Sequence, residues 1–162
     1  ARYAAEFQAL DSLRVAEALD RRLQAEGRQL DVFVQVNTSG EASKYGLQPD
    51  ETAAFLRELP AFSGLRVRGL MTLALFSAEA ARVRECFVLL RTLREQLRQD
   101  APAGISLDDL SMGMSGDYEI AIEEGATVVR VGQAIFGARN TPDSYYWPAD
   151  EGAQAGASDA KE

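Results

Sequence analysis

Val34-Gln35-Val36-Asn37 alternates apolar and polar residues, and Arg66-Val67-Arg68-Gly69 and Val129-Arg130-Val131 do the same. In a strand, alternate side chains face opposite sides. A parallel sheet with helices on both faces buries both sides and needs nearly continuous apolar strands. These segments have one apolar side only. The pattern predicts a curved parallel sheet with helices on its outer face and polar groups lining a mouth at the strand ends, as in a (β/α) barrel. A free-standing doubly wound sheet of five strands, flavodoxin-like in architecture, fits the length and stands as the alternative.

Outward from these stretches the chain alternates strands and helices. Tyr3–Ala9 is a weak strand candidate. Asp11-Ser12 offers an N-cap to a helix with Leu13, Ala16, Leu19 and Leu23 at helical spacing, and Gly27 stops it. Val32–Val36 reads as a strand, the run from Asn37 to Gly46 as a polar loop, and Pro49-Asp50-Glu51 as the start of a helix ending near Leu59-Pro60. Val67–Met71 is the third strand. The longest helix runs from about Ala78 to Gln99 with Val83, Cys86, Leu90, Leu93 and Leu97 on one face. Asp109–Met112 is a short strand, Ser115–Glu124 a helix closed by Gly125, and Val128–Val131 the last strand, before a helical turn around Ala134–Phe136. Residues 1–140 read as the folded part, and 141–162, rich in Ala, Gly, Ser, Asp and Glu, as an irregular tail, disordered at least beyond Asp150. Eight barrel units need about 200–250 residues, and five strands are legible in 162 residues opening on Ala1. The chain is therefore expected to be the C-terminal part of a larger barrel, with about its last five β/α units.

Composition narrows the function classes. With 46% hydrophobic and 26% charged residues the chain is an ordinary globular one. A net charge of −8 argues against a nucleic-acid partner, which needs clustered Lys and Arg. No apolar run approaches the ~20 residues of a membrane span and no secretory signal is visible, so a cytoplasmic protein without a membrane partner is expected. With Cys86 as the single cysteine and no histidine, an internal disulfide, thiolate or zinc sites and Ser-His or Cys-His catalysis are excluded within this chain. No metal is expected.

Two strand-to-helix turns carry the ligand signal, namely Leu110-Ser111-Met112-Gly113-Met114-Ser115-Gly116-Asp117-Tyr118 and Val128-Val129-Arg130-Val131-Gly132-Gln133-Ala134-Ile135-Phe136-Gly137. Each places small residues and backbone N–H groups where a phosphate fits, and the second adds a permanent cation. Every residue here also has a plainer reading. Ser115 serves either as an N-cap or as a ligand donor, and the two are compatible. Arg130 faces either a structural ion pair or a cavity, since an unpaired buried guanidinium is costly. Gly113, Gly132 and Gly137 serve tight turns or close approach of a phosphate. Gln35 and Asn37 line the barrel mouth or are satisfied interior groups. Met71, Met112 and Met114 read as packing residues, with Met114 the best placed for ring contact, and Cys86 as core. Glu41, Asp108 and Asp109 show no partner in the sequence, and no acid–base role follows.

In order along residues 6–140, Val34–Glu41 with Ser43-Lys44-Tyr45-Gly46-Leu47, then Arg68–Leu73, Leu110–Ser115 and Arg130–Arg139, resemble the pyridoxal-phosphate homeostasis protein family. The resemblance implies a barrel like the alanine racemase N-terminal domain and a pyridoxal 5′-phosphate cofactor. It implies a non-catalytic carrier or regulator of vitamin B6 pools, a monomer when full-length. It also assigns residues. Ser115 and the backbone at Gly132 and Gln133 match the phosphate cradle, Arg130 the residue facing the pyridine nitrogen, and Met114 the residue near the ring. Gln133 stands where many members have Thr. The family's Schiff-base lysine lies on a strand expected upstream, so neither Lys44 nor Lys161 is taken as the covalent anchor and no catalytic residue is assigned. Alternatives are a racemase-like or lyase-like enzyme using the same cofactor, and a phosphate-ligand binding domain of flavodoxin-like architecture.

Overall fold

In a computed structural model, residues 1–41 and 45–137 are described. Lys44, Arg139, the tail 141–162 and Lys161 lie outside them. Within Ala1–Val131, one compact unit, five parallel strands stand in chain order: β1 (Glu6–Leu10), β2 (Leu30–Gln35), β3 (Leu65–Met71), β4 (Asp109–Met114) and β5 (Val128–Arg130). Between them run α1 (Leu13–Ala25), α2 (Thr52–Glu58) with a 3-10 turn at Leu59–Ala61, α3 (Ala80–Gln99) and α4 (Tyr118–Glu123). The second unit begins at Gly132 and contains α5 (Gln133–Phe136).

Local chemistry accounts for the boundaries. Ser12 has extended backbone and its hydroxyl accepts the Val15 N–H, as its place before Leu13 requires. Gly27 takes φ +61 just beyond the helix, where a side chain is disfavoured. The helix expected at Ser115 starts instead at Tyr118. The cause is Asp117, whose carboxylate accepts the Met114 N–H at 2.6 Å while its own N–H donates to the Met114 carbonyl at 3.0 Å, closing residues 114–117 into a turn. Ser115 is thus a turn residue, not the helix cap.

The two faces of the sheet differ as the alternation requires. Val32, Val34 and Val36, then Val67 and Leu70, then Leu110 and Met112 are buried in one hydrophobic cluster with Leu23 of α1, Phe55 and Leu56 of α2, Phe87 and Leu90 of α3 and Ala121 of α4. The opposite face carries Gln8, Asp31, Phe33, Gln35, Arg66, Met71, Asp109 and Ser111. It is concave. Ser111 on β4 donates to Gln8 on β1 at 2.6 Å, although these strands are three positions apart. In a flat sheet that separation is about 14 Å, and Ser and Gln side chains together span roughly half of it. Only a strongly curled sheet brings them together, so the sheet is part of a barrel with its helices outside, and the flavodoxin-like alternative is set aside.

Two cross-strand ion pairs mark the N-terminal end of the concave face, Arg66 with Asp31 at 2.7 Å and Arg68 with Asp109 at 3.4 Å. Asp108 is held by Arg98 at 3.0 Å and by the Ser106 hydroxyl at 2.6 Å. Both aspartates that lacked a partner in the sequence have one in the fold. Cys86 is buried, as its place on the apolar stripe implies. No helix among the described residues is long and apolar enough to cross a membrane.

Outside the barrel, α3 is bound to the end of α4 by Glu124. Its carboxylate takes Arg84 and, at 2.6 Å, Arg91. The Arg84 hydrogen bond, with the charges of Arg91 and Arg84, holds the Glu124 carboxyl below its ordinary 4.5, against the opposing effect of desolvation. A lowered folded value means that this contribution is present above about pH 4.5 and is lost as pH falls through the folded value. Wild-type protein is expected to lose melting temperature on acidification below that point more steeply than a Glu124→Gln variant, whose stability at neutral pH is already lower. Thermal melts across pH 3.5 to 7 check this; parallel curves for the two proteins would contradict it.

Candidate functional site at the C-terminal rim

The C-terminal ends of β3, β4 and β5 meet around Arg130. Its guanidinium donates to the Ser111 hydroxyl and, at 2.8 Å, to the Thr72 carbonyl. Both acceptors are neutral, and among the described residues no carboxylate lies within ion-pair distance of Arg130. The structural ion pair weighed for it is therefore not what the fold provides. Burial lowers its pKa from the ordinary arginine value, with the nearby Asp117 charge acting in the opposite sense; the group stays a cation at any physiological pH.

Around this pair the rim is fully bonded. The Thr72 hydroxyl donates to the Val36 carbonyl at 2.8 Å and lies 2.8 Å from the Thr38 hydroxyl, whose proton must then go to Thr72. Ser111 and Thr72 are fully buried. Thr38, Thr72, Ser111 and Gln8 did not stand out in the sequence, because their significance comes from contacts between segments 34 to 103 residues apart; Asp117 acts locally, through the turn it closes on Met114.

Gln35 and Asn37 are buried and satisfied. The Gln35 amide donates to the Tyr45 carbonyl at 3.0 Å and that of Asn37 to the Glu41 carbonyl at 2.9 Å, while the Asn37 side-chain oxygen accepts from the Ser39 N–H and hydroxyl. They hold the loop after β2 against the rim. Gly46, at φ +120, has no room for a Cβ, which would meet Asn37 N at 2.8 Å.

Of the residues expected to hold a ligand, Met114 and Arg130 are register partners on β4 and β5, and Ser115 follows Met114 in the turn that Asp117 closes. Met114 is exposed. In the second unit Gly132 holds the cap position of α5, where an added Cβ would meet no atom within 4 Å, and Gln133 is the first residue of the helix. Gly113 has a packing reason for being glycine: at φ +95, its Cβ would stand 2.6 Å from that of Ala121 and 3.0 Å from Tyr118 Cα. Among the described residues no group of three His, Cys, Asp or Glu side chains is placed to hold a metal.

Comparison with known proteins gives the family and agrees with the fold. Residues 2–140 match the family model for the alanine racemase N-terminal domain. The chain is 44% identical over 131 residues to the pyridoxal phosphate homeostasis protein of Pseudomonas aeruginosa, covering 81% of this chain and 54% of that protein. It is 39% identical over 146 residues to the human protein of the same name, covering 85% and 53%. The chain thus spans about half the length of the curated relatives it matches. Among solved structures, PipY of Synechococcus elongatus with PLP bound is similar at a TM-score of 0.72 and 35% identity, covering 82% of this chain and 61% of that one. Alanine racemase of Clostridium difficile, 17% identical at a TM-score of 0.63 over 85% of this chain and 35% of its own, shares the fold.

Proposed function

This chain belongs to the alanine racemase N-terminal-domain family, and from that premise we propose that it takes part in binding pyridoxal 5′-phosphate, as a carrier or regulator of intracellular vitamin B6 and not as a catalyst. The observation that carries this is the Arg130 cation, held at the strand ends by neutral oxygens alone. When bound, the cofactor supplies a phosphate dianion and a ring that accepts electrons once its nitrogen is protonated. A guanidinium facing that nitrogen has no proton to give at neutral pH and disfavours a second positive charge beside it. Arg130 in that place holds the ring while suppressing the chemistry for which enzymes use it. The enzyme reading needs an acid or base at the rim, and among the described residues Asp117, the carboxylate whose charge acts on Arg130, is occupied in closing its turn.

Ser115, with the backbone N–H groups of Gly132 and Gln133, is assigned to the phosphate, and Met114 to the edge of the ring. The relatives named for pyridoxal phosphate homeostasis and the PLP-bound PipY support the reading. Equilibrium dialysis of the full-length protein with pyridoxal 5′-phosphate tests it. Ser115→Ala is expected to weaken retention about tenfold, the worth of one hydrogen bond to a charged group. Gly132→Val is expected to weaken it more, since its side chain would occupy space now open beside the backbone N–H groups. Unchanged retention in both variants would overturn the assignment.

A further inference from the structure

The bond that reveals the curvature of the sheet belongs to a longer chain of bonds. The Gln8 amide nitrogen donates to the Glu6 carboxylate on the same strand. The Gln8 carbonyl oxygen accepts the Ser111 hydroxyl at 2.6 Å, and Ser111 accepts Arg130. The direction of every bond is forced. Arg130 has only donors, so Ser111 must accept from it and spend its single proton on Gln8. Gln8 must therefore turn its oxygen to Ser111 and its NH₂ to Glu6, and a carboxylate is a group that can only accept. Both ends fix the same amide orientation, and turning the Gln8 amide over breaks two bonds.

We propose that Glu6, Gln8 and Ser111 are positioning residues for Arg130: a one-way hydrogen-bond relay across the barrel interior, ended by a carboxylate, that locks the guanidinium on the rim. A carboxylate in direct contact would neutralise Arg130 toward a ligand. The relay stabilises the cation through polarised bonds, and among the described residues no carboxylate is within ion-pair distance of Arg130. Thr72 supplies the second fixed point through its carbonyl at 2.8 Å, so the planar fork is held by one acceptor on β4 and another just past the end of β3. The relay also makes β1, which carries Gln8, part of the site.

The relay itself concerns the ligand-free protein, while its bearing on pyridoxal 5′-phosphate rests on the proposed site. Side-chain hydrogen exchange of Arg130, followed by NMR in the full-length protein without ligand, tests the relay. Ser111→Ala and Gln8→Met are each expected to speed exchange of the Arg130 guanidinium at least tenfold, and Glu6→Gln to speed it less because an amide oxygen still accepts. Arg28, held by the backbone carbonyls of Ala1, Arg2 and Ala4, is the internal reference and should not change. Gln8→Met, at a half-buried position, keeps the test open if Ser111→Ala does not fold. Unchanged Arg130 exchange in the folded variants overturns the proposal. Equilibrium dialysis with pyridoxal 5′-phosphate then separates the two readings. Ser111→Ala should weaken retention severalfold in the presence of Arg130 and add nothing to Arg130→Met. Faster exchange with retention indifferent even to Arg130→Met would keep the relay and sink the ligand site.

Discussion

Gly69→Ala should unfold or severely destabilise the protein, although it adds a single methyl group. Gly69 lies on β3 opposite Asp109 of β4, and a Cβ built on it would stand 1.9 Å from the Asp109 carbonyl oxygen and 2.6 Å from its carbonyl carbon. Backbone cannot rotate out of the way as a side chain can. The strands must separate, which breaks the β3–β4 ladder at its Gly69–Asp109 register pair and disturbs the Arg68–Asp109 pair beside it. Overpacking in cores costs typically 1–3 kcal/mol, and a clash with rigid backbone belongs at or above the top of that range. At roughly 2–4 °C per kcal/mol for a chain of this size, a melting temperature about 10 °C lower is expected. Gly116→Ala is the control. Its Cβ meets nothing within 4 Å and its φ is not positive, so melting should barely move. Equal melting of the two variants would contradict the close approach of β3 and β4.

Arg130→Met should lower retention of pyridoxal 5′-phosphate roughly ten- to a hundredfold in the full-length protein. A charge-assisted hydrogen bond contributes about 1.5–3 kcal/mol, and each 1.4 kcal/mol is a factor of ten in affinity. Methionine fills similar volume but leaves the Thr72 carbonyl and Ser111 hydroxyl without their donor, so some stability is lost as well, about 1–3 kcal/mol for unsatisfied buried groups. Arg130→Lys divides charge from geometry. An ammonium keeps the charge but lacks the planar fork that reaches two acceptors at once, so its retention should fall between wild type and Arg130→Met. Isothermal titration measures all three proteins. Equal affinity of wild type and Arg130→Met would remove Arg130 from the site.

Much of this was legible in residue order because the forces involved are local or periodic. Val34, Val36, Val67, Leu110 and Met112 sit where alternation puts them, and the Ser12 cap and Gly27 stop follow from backbone chemistry alone. The alternation at Gln35, Arg66 and Arg130 foretold one apolar side and hence curvature. Its consequences could not be read in advance. Gln8 meets Ser111 across 103 residues only because the sheet curls, so neither residue advertises its role. Arg130 was recognisable as a cation needing a reason, but its acceptors are a neutral hydroxyl and a carbonyl, the latter a backbone group present at every position. The helix start at Ser115 was misread because Ser and Asp are both common before a helix, and here Asp117, bonded back to the Met114 N–H, closes a turn over residues 114–117 that delays the helix to Tyr118.

The central claim is that Arg130 at the strand ends faces the ring of bound pyridoxal 5′-phosphate and keeps its nitrogen unprotonated. The direct measurement is the NMR resonance of the ¹⁵N-labelled ring nitrogen of the cofactor bound to the full-length protein, followed from pH 6 to 9. An unprotonated nitrogen whose resonance does not move with pH, and which shifts toward the protonated position in Arg130→Met, is the predicted result. A protonated or freely titrating nitrogen in the wild-type protein, or one indifferent to Arg130→Met, would contradict the account.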